Sequence, residues 1–422
     1  MEKKLFIQIH NEWRGNLWLA LELLVVSVVM WYIIDMLYCQ AATYNEPRGF
    51  NIEHCYLIKM GVLTEKSPEF KPYSDAAEQQ TAEVRELAER LRHRPEIEAV
   101  SLSVGAYPYN GSNSTEEVTY DTLKSPLWTI CRLATPDFVR VFQYRGAQGE
   151  TSEQLAKKLQ QGDFLASNNL FRKYQIPMTA LVGKKGFHLF GDTLNTYRLG
   201  AALQNVRHDD YTQGRISYSI VYNLDRANLF SPGIITAENE LCVRVRADKD
   251  KNFIANLKAD SEKQYRIGNI YISDIRSFQD IRKNFQQSNA NQMRNYFIGM
   301  GFLLLNIFLG LLGTFWFRTQ QRRSEIALHK AMGASNQAIF SRLMCEGLFI
   351  LLIVSVPAIL IDYNLAYLEL NSWRNGTTLE WDRILSCSIL TCVLIALMIV
   401  IGIGIPAYRA MKIQPAEALH DE

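Results

Sequence analysis

The residues of this 422-residue chain that could do chemistry fall into two sets. By type, His54, His93, His188 and His208 with Asp163, Asp192, Asp209 and Asp210 supply bases, acids and metal ligands. Their spacing joins none of them: the chain has no nucleophile elbow, no His-Glu-x-x-His pair and no Cys-x-x-Cys. They read as solvated surface residues, so no catalytic residue and no metal site is expected. No Gly-x-x-x-x-Gly-Lys-(Ser/Thr) segment occurs either, so the chain lacks the loop that cradles phosphates and is expected to bind no cofactor itself.

The second set lies in the stretch 317–335 and is suited to docking. On a helical wheel Ala327, Leu328, Ala331 and Met332 share one arc, while Arg322, Arg323, Glu325, His329 and Lys330 take the opposite one. Gly333 is placed to end this helix, because glycine accepts a left-handed backbone at little cost. Two readings stay open: a helix lying on the membrane surface, or a docking element for a cytoplasmic protein.

What must position that segment is a set of membrane spans. Mean hydropathy is only −0.09, but the apolar residues are concentrated in 17–38, 296–317, 343–368 and 384–405. Each is long enough for a bilayer core of about 30 Å, which takes about 20 helical residues. Glu22, Asp35 and Asp362 interrupt the first and third spans, and Glu346 opens the third. An ionised carboxylate in hydrocarbon is costly, so Asp35 and Asp362 are expected at the interface near helix ends, Glu22 snorkelling to the headgroups, and Glu346 at the membrane interface. The first span is too long for a cleaved signal and reads as an anchor.

Basic residues mark the cytoplasmic side. Lys3, Lys4 and Arg14, then Arg318, Arg322, Arg323, Lys330 and Arg342, then Arg409 and Lys412 place both termini and the 318–342 loop inside. Residues 39–295 are then extracytoplasmic, with a short outer loop at 369–383 and a cytoplasmic tail at 406–422. The net charge of +2 gives no sign of nucleic-acid binding. Residues 1–16 carry Leu5, Phe6, Ile9 and Trp13 on one side, as an interfacial helix or a simple cap on the first span would. Of seven cysteines, Cys55, Cys131 and Cys242 belong to the outer domain, where one disulfide is conceivable and unassignable.

That outer domain shows a strand-helix-strand pattern twice. The first has strands at 55–62 and 97–104 around a helix at 78–93, with Val84, Leu87, Ala88 and Leu91 on one face. In the second, Leu241, Val243 and Val245 alternate with Arg244 and Arg246 as a half-buried strand, before a helix at 252–263 and a strand at 269–273. The fold class expected is four transmembrane helices plus an α+β outer domain, with ferredoxin-like split β-α-β units, helices on one face and an inserted lobe over 106–231. Residues 273–295 read as a stalk helix continuing into the second span, or as a helix broken at the membrane surface. Tyr107, Tyr109, Trp128, Phe138 and Phe142 read as sheet core in preference to a substrate site.

Arg322, Glu325, Ile326, Ala327, Lys330, Ala331, Gly333 and Ala334 after the second span, with Glu346, form a pattern that resembles the signature of FtsX-like permeases, the superfamily of MacB-type exporters and lipoprotein-releasing permeases. Pro406, Arg409, Ala410, Pro415, Glu417, Ala418 and Leu419 resemble that family's ending, and Thr135 to Phe138, Phe142 and Gly162 to Phe164 a weaker outer-domain pattern. The resemblance implies an inner-membrane permease in a homo- or heterodimer, joined to two copies of a cytoplasmic ATP-binding-cassette ATPase, with ATP and Mg held by that partner. It implies that 322–334 is the coupling helix, and that ATP-driven closing of the stalks moves the outer domains to extrude a hydrophobic, peptide or lipid substrate or to engage an outer partner. Unlike MacB itself, this chain has no fused ATPase. Three other classes compete: a membrane sensor, for which the inside segments are too short; a permease-like regulator of a cell-wall hydrolase, with the same coupling machinery; and a membrane enzyme, for which no motif speaks.

Overall fold

The computed structural model describes residues 13–111, 113–192, 194–230, 233–321, 328, 330, 332–368, 370 and 379–411. The interfacial helix expected at 1–16 and the tail at 406–422 therefore lie largely outside the described residues. Two compact units emerge, one of Asn45–Asn289 and one of Met1–Tyr44 with Ala290–Glu422.

Helix α1 (Trp13–Asn45) leads into the first unit. There β1 (Cys55–Val62), α2 (Ala76–Arg92) and β2 (Ile97–Val104) form the first strand-helix-strand unit. Asp75 starts α2 by accepting from the amides of Ala77 and Glu78, which satisfies donors that have no partner inside the helix. The insert follows: β3 (Ser114–Thr115), β4 (Thr119–Tyr120), β5 (Leu123–Lys124), β6 (Ile130–Ala134), α3 (Phe138–Val141), α4 (Ser152–Gln160), β7 (Phe164–Ser167), β8 (Lys185–His188), β9 (Tyr197–Leu203), β10 (Ser219–Asn223) and α5 (Leu224–Phe230). The second unit is β11 (Glu240–Val245), α6 (Phe253–Gln264) and β12 (Ile270–Ser277).

All these strands join one sheet in the order β12-β1-β11-β2-β6-β10-β7-β9-β8-β4-β5, with β3 on β6. The two strand-helix-strand units interleave, since β1 pairs antiparallel with both β11 and β12. The insert is less separate than its sequence suggested, because β6 pairs directly with β2 and extends the same sheet.

Both faces of the sheet are covered, a correction to the one-sided layer expected. Tyr56, Ile58, Val100, Leu241 and Val243 pack with Val84, Leu87 and Leu91 of α2 and Leu257 of α6. Cys55, Leu57 and Cys242, alternating with them, pack on the other face with Phe138, Phe142 and Leu155. Arg244 is accordingly buried, not solvent-facing. Its guanidinium donates to the carbonyls of Val141 at 2.6 Å, Glu53 at 2.9 Å and Asn51 at 2.8 Å, so the buried charge is satisfied by backbone oxygens.

Strand β12 continues to Ser277, paired along its length with β1. The helix after it therefore begins at Phe278, later than the Ser273 expected, because the backbone groups of 273–277 are already committed to the sheet. Ser277 ends the strand and starts the helix: its Oγ accepts from Asp280 N at 3.1 Å and donates to the Asp280 carboxylate at 2.6 Å. From there α7 (Phe278–Gln321) is a single 44-residue helix.

The second unit is helical. With α1 and α7 it contains α8 (Asn336–Tyr367) and α9 (Trp381–Met411). Leu17–Asn45, Phe278–Thr314, Asn336–Tyr367 and Trp381–Gly404 are each long and apolar enough to cross a membrane. Leu23, Trp31, Leu311, Ile350, Val354, Ile395 and Ile399 form its core, while Leu21, Phe302, Leu352 and Ile389 point outward. Outward apolar faces on such helices are the arrangement a lipid solvent favours, since each helix satisfies its own backbone.

Candidate coupling site

Of the residues singled out for docking, Arg322, Arg323, Glu325, Ile326, Ala327 and Ala331 lie outside the described residues. Leu328, Lys330, Met332, Gly333 and Ala334 are described. Met332 N donates to Leu328 O, and Gly333 N to Lys330 O, each at 3.0 Å, which closes a helical turn. Gly333 has φ +91° with open space where a Cβ would stand, so any cost of a side chain there is backbone strain and not collision. Leu328 is 52% and Met332 68% exposed, leaving apolar surface uncovered beside charged neighbours. Ala334 packs with Ile339 and Leu343, and Ser335 Oγ accepts from Ala338 N at 3.2 Å to start α8.

The carboxylates of the spans are mostly buried among the helices. Asp35 of α1 and Arg383 of α9 are each 1% exposed and form a two-pronged pair, Nε to Oδ1 and Nη2 to Oδ2, both at 2.6 Å. Two parallel charge-assisted hydrogen bonds fix distance and orientation together. Asp362 of α8 is 2% exposed and Glu346 is 8% exposed, so both are buried against protein. Glu22 accepts from Thr314 Oγ1 of α7 at 3.0 Å, a helix-to-helix contact. For Asp35 and Glu22 the physical reason is common: a charged group among apolar helices is cheapest where another helix supplies a partner; Asp362 Oδ1 is buried without a hydrogen-bond partner. Arg383 was overlooked because it sits just ahead of the fourth apolar run; a cation and an anion ending two different spans was the available signal.

Residues 297–415 match the model of the FtsX-like permease C-terminal domain. This part of the chain is an FtsX-like permease domain. The match takes in α8, α9, Gly333, Glu346 and Arg383. The sheet-rich part is similar to the periplasmic region of MacB from Actinobacillus actinomycetemcomitans, at 10% identity and a TM-score of 0.32 over 58% of this chain and 98% of that one. It is also similar to the extracellular domain of the noncanonic ABC-type transporter YknZ from Gram-positive bacteria, at 10% identity and a TM-score of 0.29 over 52% of this chain and 100% of that one. No curated protein sequence matches the chain.

Outside the FtsX-like domain, Asp163, Asp209 and Asp210 are buried and not the solvated surface residues expected, because each gains partners within the fold. Asp163 pairs with Arg198 through both oxygens at 2.7 and 2.8 Å, and the Asp192 and Asp209 carboxylates accept from amides in their own turns. His54 lies 2.9 Å from Asp250. Among the described residues no group of three or more His, Cys, Asp or Glu is placed to hold a metal ion. All seven cysteines are free thiols, and burial pushes the Cys55 thiol up to about 12. Burial lowers the pKa of His208, whose ring stands edge-on to Phe285 of α7. Tyr109, Phe138 and Phe142 are buried, whereas Trp128, expected in the core, is 65% exposed.

Proposed function

We propose that the chain is the permease subunit of an ATP-binding-cassette transporter of the MacB and FtsX type. Two such chains, identical or not, would join two copies of a separate cytoplasmic ATPase, which holds the ATP and Mg. Both termini and 318–342 lie inside in this reading, and the sheet-rich unit, whose interleaved strands we read as a split ferredoxin-like arrangement, lies outside. Nucleotide-driven movement enters at the 322–334 segment, passes along α7 and α1, and displaces the outer unit to extrude a hydrophobic, peptide or lipid substrate. The chain itself performs no bond chemistry.

The observation that carries this is the FtsX-like permease domain at 297–415, containing a segment with exposed Leu328 and Met332 that ends on left-handed Gly333. Exposed apolar side chains flanked by Arg323 and Glu325 suit a groove on a partner, where the charges select the right neighbour. The test is to purify the chain from its native membrane with its partners and compare it with the Glu325→Lys/Gly333→Trp double variant. A copurifying ATPase stimulated by the natural chain and not by the variant is expected. Normal stimulation by the variant would reject the coupling role, and recovery of a cell-wall hydrolase on the outer side would replace extrusion with hydrolase control.

A further inference from the structure

The chain leaves the sheet-rich unit twice, just before Asn45 and just after Asn289. Both departures are fastened to the same short loop of the insert, residues 205–214. After α1, Arg207 N donates to Arg48 O at 2.9 Å, Arg207 Nη1 donates to Glu46 O at 2.6 Å, and the Glu46 carboxylate accepts from Gly214 N at 3.1 Å. Gly49 has φ +80°, and a Cβ there would stand 2.3 Å from the Asn205 carbonyl oxygen, so the two strands of chain lie as close as glycine permits.

At the centre is Asp210, wholly buried. One carboxylate oxygen accepts from Arg48 Nε at 2.9 Å and from Tyr109 Oη at 3.0 Å. The other accepts from Arg282 Nε at 2.7 Å and meets Arg282 Nη2 at 2.6 Å. Gln286, one turn further along α7, is buried beside it. Arg282 and Gln286 stand four apart and so share a face of the helix.

We propose that Asp210 is a positioning residue that locks both membrane connections, the segment after α1 and the first turns of α7, to the insert as one body. This deepens the coupling reading and rests on it only for its use: displacement of α7 or α1 is carried into the insert because neither connection can slide while the carboxylate holds both guanidiniums. A buried anion shared by two cations suits this task, since its charge is compensated only in one geometry. Apolar packing alone, such as Phe278 against Phe142, fixes distance with less directional demand.

The test uses the full chain in lipid discs without nucleotide, so its outcome does not depend on the ATPase reading. In a Cys345→Ser background, spin labels are placed on exposed positions as Lys184→Cys with Gln287→Cys, and as Lys184→Cys with Pro47→Cys. The natural chain should give one narrow distance distribution for each pair. Arg282→Gln should broaden only the pair that reports on α7, Arg48→Gln only the pair that reports on the segment after α1, and Asp210→Asn both, with Asp210→Glu restoring part of the narrowing. General destabilisation would not divide in this way. Unchanged distributions in folded Asp210→Asn, or broadening of both pairs by each single arginine variant, would overturn the proposal. If Asp210→Asn does not fold, the two arginine variants alone decide it.

Discussion

The pair between Asp35 and Arg383 allows a sharp test of what holds the helical unit together. Both side chains are 1% exposed and meet through two contacts of 2.6 Å. Two unit charges about 4 Å apart attract by about 4 kcal/mol at an effective dielectric of about 20. That gain is set against the cost of taking both from water, so the pair as a whole contributes little net stability. Removing one member is different, because the survivor is a buried, uncompensated charge, at a cost of about 3–5 kcal/mol. Arg383→Met keeps most of the stem volume and should lower the unfolding free energy in mild micelles by that amount, as should Asp35→Leu. The double variant should return to within about 1 kcal/mol of the natural chain or exceed it. The assay is reversible denaturation followed by circular dichroism, analysed as a double-mutant cycle. A cost below about 1 kcal/mol for Arg383→Met, or simple additivity in the double variant, would refute the reasoning.

In the sheet-rich unit, Phe278→Ala removes a wholly buried ring packed on Phe142 and Tyr107 and should cost about 3–5 kcal/mol, read as a lower denaturant midpoint. Gly333→Ala should weaken the helix end by about 1–2 kcal/mol, the cost of a Cβ on a left-handed backbone, seen as faster amide exchange at 332–336 with no change elsewhere. Burial holds the His208 pKa below its usual 6.5, so the unfolded chain takes up the proton first; stability should fall as pH drops below 6.5, and His208→Asn should remove that fall. Asp210 has the opposite charge type: burial alone would raise its pKa, but Gln286, Arg48 and Arg282 outweigh this and hold it below 3.8. Its contribution is present above that value and should be lost as pH falls further, measured as a drop in melting temperature.

The face of α2 was legible because Val84, Leu87, Ala88 and Leu91 follow the helical period, and all four are buried. The apolar spans were legible because length and hydropathy act on one segment at a time. What escaped was whatever depends on partners distant in sequence. Arg244 looked solvent-facing since alternation reports that a side chain is on the other face, not whether α3 covers that face. The junction at Ser277 escaped because Ile275 and Phe278 fit both a helical spacing and a strand, and only the pairing of β12 with β1 decides between them. Asp35 with Arg383, and Asp210 with Arg48 and Arg282, join positions with no local pattern between them, so their types were visible and their meetings were not.

The central claim is that the segment ending at Gly333 faces the cytoplasm and receives force there. Its most direct test is a Met332→Cys variant, made in a Cys345→Ser background and exposed to a membrane-impermeant maleimide, with Trp128→Cys as the outer control; both probe positions are exposed in the fold. The account predicts that Trp128→Cys reacts in intact spheroplasts and that Met332→Cys reacts only after permeabilisation. Labelling of Met332→Cys in intact spheroplasts would contradict it.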